Sequence, residues 1–261
     1  MLTSIRREVH TFTVLARTAL RMARVKPDND DTVVDAFERI VDAHENRPAI
    51  VFEGRTMTYR ELECAANRVA HWARAHGLRH GRCAALFMEN RPEYLAMWLG
   101  LAKTGAHVAL INTNLTGAPL VHALTVAEPS LVVVGTELEA AYETARANLS
   151  PEPPAWTLGG RGVAGKLDAA LSAASSDRPP REWRAGVKTR DKLFYIYTSG
   201  TTGNPKAANF SHLRFLSVGG AYTELAAVRP EDRVYCVLPL YHTAGGAIAA
   251  MKSAGVDSAD R

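Results

Sequence analysis

Leu193–Ala208 reads LFYIYTSGTTGNPKAA. Leu193–Tyr197 is β-rich and apolar, and it stops abruptly at Thr198-Ser199-Gly200-Thr201-Thr202-Gly203-Asn204-Pro205-Lys206, with a helix-like segment from about Ser211. These nine residues hold four hydroxyl side chains, two glycines and one lysine. Glycines let backbone amides approach and wrap an anion. Hydroxyls add donors, and a lysine adds a point charge suited to phosphate. The loop follows a strand, and open α/β sheets bind ligands at the carboxyl ends of their strands. The stretch therefore predicts a triphosphate cradle that is not a Walker loop. The alternative is a flexible polar turn, and the ordered string ending in Pro-Lys argues against it.

Working outward, the chain alternates strands with helices. Thr32–His44 is periodic in Val33, Val34, Phe37, Ile40 and Val41 and predicts a helix. Ala49–Phe52 and Thr56–Tyr59 flank Glu53-Gly54-Arg55 as a hairpin. Thr58 and Glu61 form a capping-box pattern before a helix that stops near Gly77. Cys83–Met88, Ala106–Ile111 and Leu131–Val134 are short apolar strands. Helices are expected from Arg91-Pro92 onward, over Ala118–Ala127 and over Glu137–Asn148. This is the pattern of an α/β fold whose βαβ units form a mostly parallel sheet, its strands apolar throughout because both faces are covered. Residues 149–190, with Pro151, Pro153, Pro154, Pro179 and Pro180, break the rhythm. They are expected to be a surface excursion or linker with one short helix near Leu167–Ala174. The domain plan is an arm at 1–26, a body at 27–252 and a polar tail at 253–261.

Composition bounds the rest. The chain has 261 residues, 47% hydrophobic and 22% charged, with a net charge of +4. That profile is globular, and the small positive excess does not mark a nucleic-acid binder. The longest apolar stretch, Tyr94–Ile111, is interrupted by Lys103, Gly100, Gly105 and His107, short of the roughly 18 apolar residues a membrane-crossing helix needs. Cys64, Cys83 and Cys236 lack the spacing of a disulfide framework or zinc site and predict buried free thiols in a reducing, cytoplasmic setting. In residues 1–26, Arg6, His10, Arg17, Arg21 and Arg24 recur at helical spacing beside an apolar stripe of Leu2, Ile5, Val9, Phe12, Ala16 and Ala19. Such a helix packs on its own domain, lies on an anionic membrane surface, or serves as a transit peptide; the sequence leaves these open. Gly160–Leu167 nearly matches a Walker A loop. However, Leu167 stands where a magnesium-binding Ser or Thr is required, and no strand is expected before Gly160, so a solvated loop is the better reading.

YTSGTTGNPK resembles the phosphate-loop signature of the adenylate-forming superfamily, which includes acyl-CoA synthetases, peptide-synthetase adenylation domains and firefly luciferase. TMTYRELECAANRVAHWARAHGL, ENRPEYLAMWLGLAKTGAHVALINTNLTG and DRVYCVLPLYHTAGG resemble further blocks of the same enzymes. Pro-Lys-Ala-Ala and Leu-Pro-Leu-Tyr-His-x-Ala-Gly are similar to the very-long-chain acyl-CoA synthetase and fatty acid transport protein branch. The resemblance covers roughly residues 32–250.

The resemblance implies a fatty acid–CoA ligase. ATP and the acid form an acyl-AMP, which coenzyme A then converts to a thioester. It implies that Thr198, Ser199, Gly200, Thr201, Thr202, Gly203 and Lys206 hold the phosphates, with Thr198 in the Mg2+ shell. Tyr241, His242 and Thr243 lie beside the acyl pocket and the reacting carboxylate, and His242 is the candidate catalytic residue. Gly245 and Gly246 either leave room for an acyl chain or serve close packing. Relatives continue to a Tyr-Gly-x-Thr-Glu segment with the magnesium glutamate and to a mobile domain with a catalytic lysine. Neither occurs in these 261 residues. The expectation is thus the N-terminal part of a synthetase, inactive alone, whether by truncation, frameshift or fragmentation. The alternative is a non-catalytic remnant that binds nucleotide, fatty acid or a partner chain.

Overall fold

Strands that are apolar at every position need cover on both faces, and the computed structural model, which describes residues 2–160, 165–198, 206–229 and 231–249, shows it. The elements are α1 (Leu2–Arg24), α2 (Val33–His44), β1 (Pro48–Phe52), β2 (Arg55–Thr58), α3 (Tyr59–Ala75), β3 (Cys83–Phe87), α4 (Pro92–Lys103), β4 (His107–Leu110) and α5 (Gly117–Ala127). They continue with β5 (Leu131–Gly135), α6 (Glu139–Arg146), β6 (Ala155–Leu158), α7 (Lys166–Ala173), β7 (Lys192–Thr198), β8 (Lys206–Ser211) and α8 (His212–Leu225). The strand order is β6-β5-β3-β4-β7-β8, parallel throughout except for the β7–β8 pair.

Period-two alternation assigns each strand residue to one of two cores. Ala84, Leu86, Val108, Leu110, Leu131, Val133, Phe194 and Ile196 join the core under α2, α3, α4 and α8. Their neighbours Ala85, Phe87, Ala109, Val132, Val134 and Tyr197 join the core under α5 and α6. On the larger side Trp98 meets Phe194 edge-on at 5.1 Å and tilts toward Phe215 at 5.9 Å. The β1–β2 hairpin turns through Glu53 and Gly54, at φ 47° and 77°. Positive φ at both central residues matches the twist of the flanking strands. The Thr58–Glu61 capping box forms: Glu61 N–H donates to Thr58 Oγ1 at 3.2 Å, and Glu61 Oε2 accepts from Thr58 N–H at 2.7 Å.

The structure corrects the expected 149–190 excursion. It carries the expected short helix, as α7, but also an edge strand of the main sheet, β6, and a short 3-10 turn at Arg181–Arg184. Pro154 sits just before β6, where its missing N–H costs nothing, and its carbonyl still accepts from Val132 N–H at 2.9 Å. Arginines then fasten the segment to α2 and α3. Arg178 pairs with Asp42 (2.6 Å) and Glu63 (2.7 Å), Arg181 with Asp35 (2.9 Å), and Arg184 with Asp35 (3.0 Å) and Glu38 (2.6 Å). Strand β8 is likewise absent from the sequence reading, because Lys-Ala-Ala-Asn lacks a β-rich pattern. The expected uniform thiol burial holds only for Cys83, whose thiol burial pushes up to about 12. Cys64 is half-buried, and half-buried Cys236 lies outside regular structure.

Candidate functional site

The parallel strands deliver their following loops to one edge of the sheet. Thr198 ends β7 and Lys206 begins β8, and the two are direct partners in the antiparallel register. Both are exposed. The loop between them is therefore closed at its base by a hydroxyl and an ammonium at the carboxyl edge, a donor set that fits a polyphosphate. Ser199, Gly200, Thr201, Thr202 and Gly203 lie outside the described residues. At the far end of β8 from the loop, Ser211 caps α8 by accepting from Arg214 N–H at 3.2 Å, and beside the loop Tyr197 donates to Ala123 O at 2.7 Å, which ties β7 to α5.

The second predicted block comes to the same edge. Residues 232–238 form no strand among the described residues. Asn90, just after β3, donates through Nδ2 to Leu238 O at 2.9 Å and accepts at Oδ1 from Leu240 N–H at 2.8 Å. Asn114, after β4, donates to the Tyr241 hydroxyl at 3.2 Å. Tyr241 is buried and its ring lies 5.2 Å from that of His242, while His242 and Thr243 are exposed. A π-helical turn, Thr243–Ala249, follows. A Cβ on Gly245 would meet Pro239 O at 2.3 Å, and one on Gly246 would meet Leu240 O at 2.0 Å. Backbone carbonyls thus occupy the side-chain space of both glycines. Tyr94, at the first turn of α4, is fully buried, and among the described residues its hydroxyl has no partner.

Sequence reasoning missed Asn90 and Asn114. A lone asparagine carries no periodic signal, and its partners lie 148 and 127 residues away. Among the described residues no group of three or more metal-ligating side chains occurs. A polar cleft of about 380 Å³ lies elsewhere, lined by Asp42, Glu63, Asn67 and Arg178 among others. Arg178 already neutralises its Asp42 and Glu63.

The Walker-like stretch needs correction. Strand β6 does precede Gly160, and α7 follows. What disqualifies it is occupancy. Asp168 Oδ2 accepts from Gly159 N–H at 3.0 Å and from Gly165 N–H, so the protein's own carboxylate takes these amides. Leu167, where the hydroxyl would stand, is fully buried in the core.

The fold and this edge define an open, mostly parallel α/β domain with a hydroxyl- and glycine-rich loop at the carboxyl ends of its strands. The chain belongs to the AMP-binding enzyme family, whose pattern it matches over residues 37–257. It is 35% identical over 248 residues to long-chain fatty acid transport protein 1 of Bos taurus, covering 92% of this chain and 38% of that protein. With human long-chain fatty acid transport protein 5 the identity is 37% over 230 residues, 82% of this chain and 33% of the relative. The chain thus spans 33–38% of the length of these relatives. ATP-bound MatB of Rhodopseudomonas palustris superposes with a TM-score of 0.72 at 28% identity, over 85% of this chain and 44% of that one. The N-terminal domain of FACL13 from Mycobacterium tuberculosis, solved with an inhibitor, gives 0.74 at 26%, over 86% of this chain and 55% of that one. An anthranilate CoA ligase holding anthranoyl-AMP gives 0.76 at 23% identity, over 90% of this chain and 45% of that one, and shares the fold.

Proposed function

We propose that these residues form the nucleotide- and acid-binding part of a fatty acid–CoA ligase. The observation that carries this is the meeting of two chemistries at one sheet edge. The Thr198–Lys206 loop base supplies donors for phosphate, and the Tyr241–His242–Thr243 segment lies against the ends of β3 and β4. In this reading Thr198, Ser199, Gly200, Thr201, Thr202, Gly203 and Lys206 hold the ATP phosphates, with Thr198 toward Mg2+. Tyr241, His242 and Thr243 orient the fatty acid carboxylate, and Gly245 shapes that wall by its close backbone approach. ATP supplies the leaving group that makes a carboxylate electrophilic, and coenzyme A is the acceptor thiol. The chain's own part is positioning and charge neutralisation. The relatives' names and the ATP-bound fold neighbour support the substrate class.

Calorimetric titration of MgATP into the wild-type chain and Lys206→Ala tests the phosphate loop. Loss of one charge-assisted contact is expected to weaken binding about ten-fold or more. Unchanged affinity removes the assignment. Taken alone, these 261 residues are expected to bind without turnover, showing no acid-dependent pyrophosphate exchange. Robust exchange with long-chain acids reverses that expectation.

We also assign α1 to a membrane surface. The helix lies along α8 with Thr18 buried, yet Phe12 (75%), Leu15 (55%) and Leu20 (66%) are exposed, as are the flanking Arg17 and Arg24. No helix among the described residues is long and apolar enough to cross a membrane, so a surface-lying mode is the fitting one.

A further inference from the structure

We propose that Asn90 is a positioning residue for the Tyr241–His242 segment, acting as a carboxamide clamp that sets where this segment stands on the sheet edge. The consequence for acid binding rests on the function proposed above; the clamp itself does not.

The clamp begins with a rigid platform. Glu137, in the turn after β5, accepts from Glu89 N–H at 2.9 Å through one oxygen and from Arg91 Nη1 at 2.7 Å through the other. Arg91 also donates to Leu158 O at 3.1 Å, and only 10% of its side chain is exposed. The backbone is thereby held on both sides of Asn90. From that platform the carboxamide spans two residues of the distant segment, giving a hydrogen to Leu238 O and taking one from Leu240 N–H, at 2.9 and 2.8 Å. A carboxamide presents a donor and an acceptor side by side, which neither a carboxylate nor a hydroxyl reproduces in this geometry. The clamped segment has no ladder of its own: residues 232–238 form no strand, and Tyr235 and Val237 are exposed at 90% and 70%. Its fixed course starts at the clamp. His242 N–H donates to Pro239 O at 3.1 Å, Gly246 N–H donates to His242 O at 2.6 Å, and Asn114 meets the Tyr241 hydroxyl. Strands β3 and β4, adjacent and parallel, thus each send one asparagine to the same short segment.

Hydrogen exchange on the full chain tests this, comparing wild type with Asn90→Ala, Asn90→Leu and Asn90→Asp. Asn90→Ala and Asn90→Leu are expected to raise exchange in a peptide covering 239–243 at least about ten-fold, leaving peptides from β3 and β4 and the urea midpoint unchanged. Asn90→Asp keeps the acceptor for Leu240 N–H and is expected to restore part of the protection. Binding of a fluorescent long-chain fatty acid is expected to weaken at least about five-fold in Asn90→Ala, the loss of one positioning contact. Unchanged exchange at 239–243, or an increase shared equally with β3 and β4, overturns the clamp. Raised exchange with fully retained fatty acid affinity overturns its positioning role. If the wild-type chain itself does not bind the fatty acid, the proposed function fails, while the exchange comparison still decides Asn90.

Discussion

Lys103 is the residue at which sequence and structure say most different things. In the sequence it merely interrupts an apolar run. In the fold it is fully buried, with Nζ 2.6 Å from Glu38 and 3.3 Å from Glu63, and Glu38 is in turn held by Arg184. Removing the ammonium leaves two carboxylates in a poorly solvated site. Lys103→Ala is therefore expected to cost about 3–5 kcal/mol, read as a lowered urea midpoint. His212 makes the second residue-scale prediction. It is 3% exposed, its Nδ1 accepts from Val33 N–H at 3.4 Å, and burial pulls its pKa down from 6.5 to about 4. The folded state keeps the ring neutral, while the unfolded chain protonates it below its ordinary value. Stability from this site is complete above pH 6.5 and is lost as pH falls through about 4. His107, also lowered to about 4 by burial, adds to the same window. Asp35, held down to about 2 despite its burial by Thr32 and Arg184, acts in a lower one. Urea midpoints between neutral pH and pH 4.5 should fall, and should fall less steeply in His212→Gln; an equal slope in both proteins removes His212 from the account.

At the scale of elements, the α3–α4 contact turns on one missing side chain. A Cβ on Gly100 would stand 2.4 Å from Ala66 O and 2.5 Å from Val69 Cβ. The two helices approach until backbone meets backbone, so Gly100→Ala forces them apart. Overpacking of this kind costs about 1–3 kcal/mol, measurable by urea denaturation, and an unchanged midpoint would show that the helices can shift freely. Elements with strong local signals were legible in the sequence: α2, the β1–β2 hairpin, the capped α3, and β3, β4, β5 and β7. Those that depend on a neighbour were not. Strand β6 is four residues placed after Pro153-Pro154, and it exists because β5 offers an open ladder. Strand β8 has only Phe210 buried and pairs antiparallel with β7. Edge strands bury little, so hydrophobic alternation hardly marks them.

At the scale of the whole molecule, exposed large apolar side chains cluster at two places among the described residues. The first is α1, with Phe12, Leu15 and Leu20 beside arginines. Sedimentation with anionic vesicles is expected to carry the wild-type chain down, and high salt or Leu15→Asp to release much of it. Equal sedimentation with neutral vesicles would show that charge plays no part. The second place is the unpaired stretch with Tyr235, Val237 and Leu238 exposed. A segment that forms no strand and exposes apolar side chains invites pairing with another chain. Sedimentation velocity is expected to show concentration-dependent association that Tyr235→Lys with Val237→Lys reduces; a monodisperse wild type over the same range contradicts this.

The sequence by itself determined the α/β class, the alternation that dictates buried parallel strands, and the hydroxyl–glycine–lysine loop after β7. These are local: they depend on residue type, spacing and turn chemistry within a few positions. Only the tertiary structure decided that Asn90 and Asn114 meet the Tyr241 segment and that Lys103 has two carboxylate partners. It alone showed that 149–190 joins the sheet and that Asp168 takes the Gly159 and Gly165 amides. Each of these depends on one hydrogen bond or ion pair, or one ladder, between groups that chain position does not relate. Such contacts carry no period in the sequence and become fixed only when the sheet brings the strand ends together.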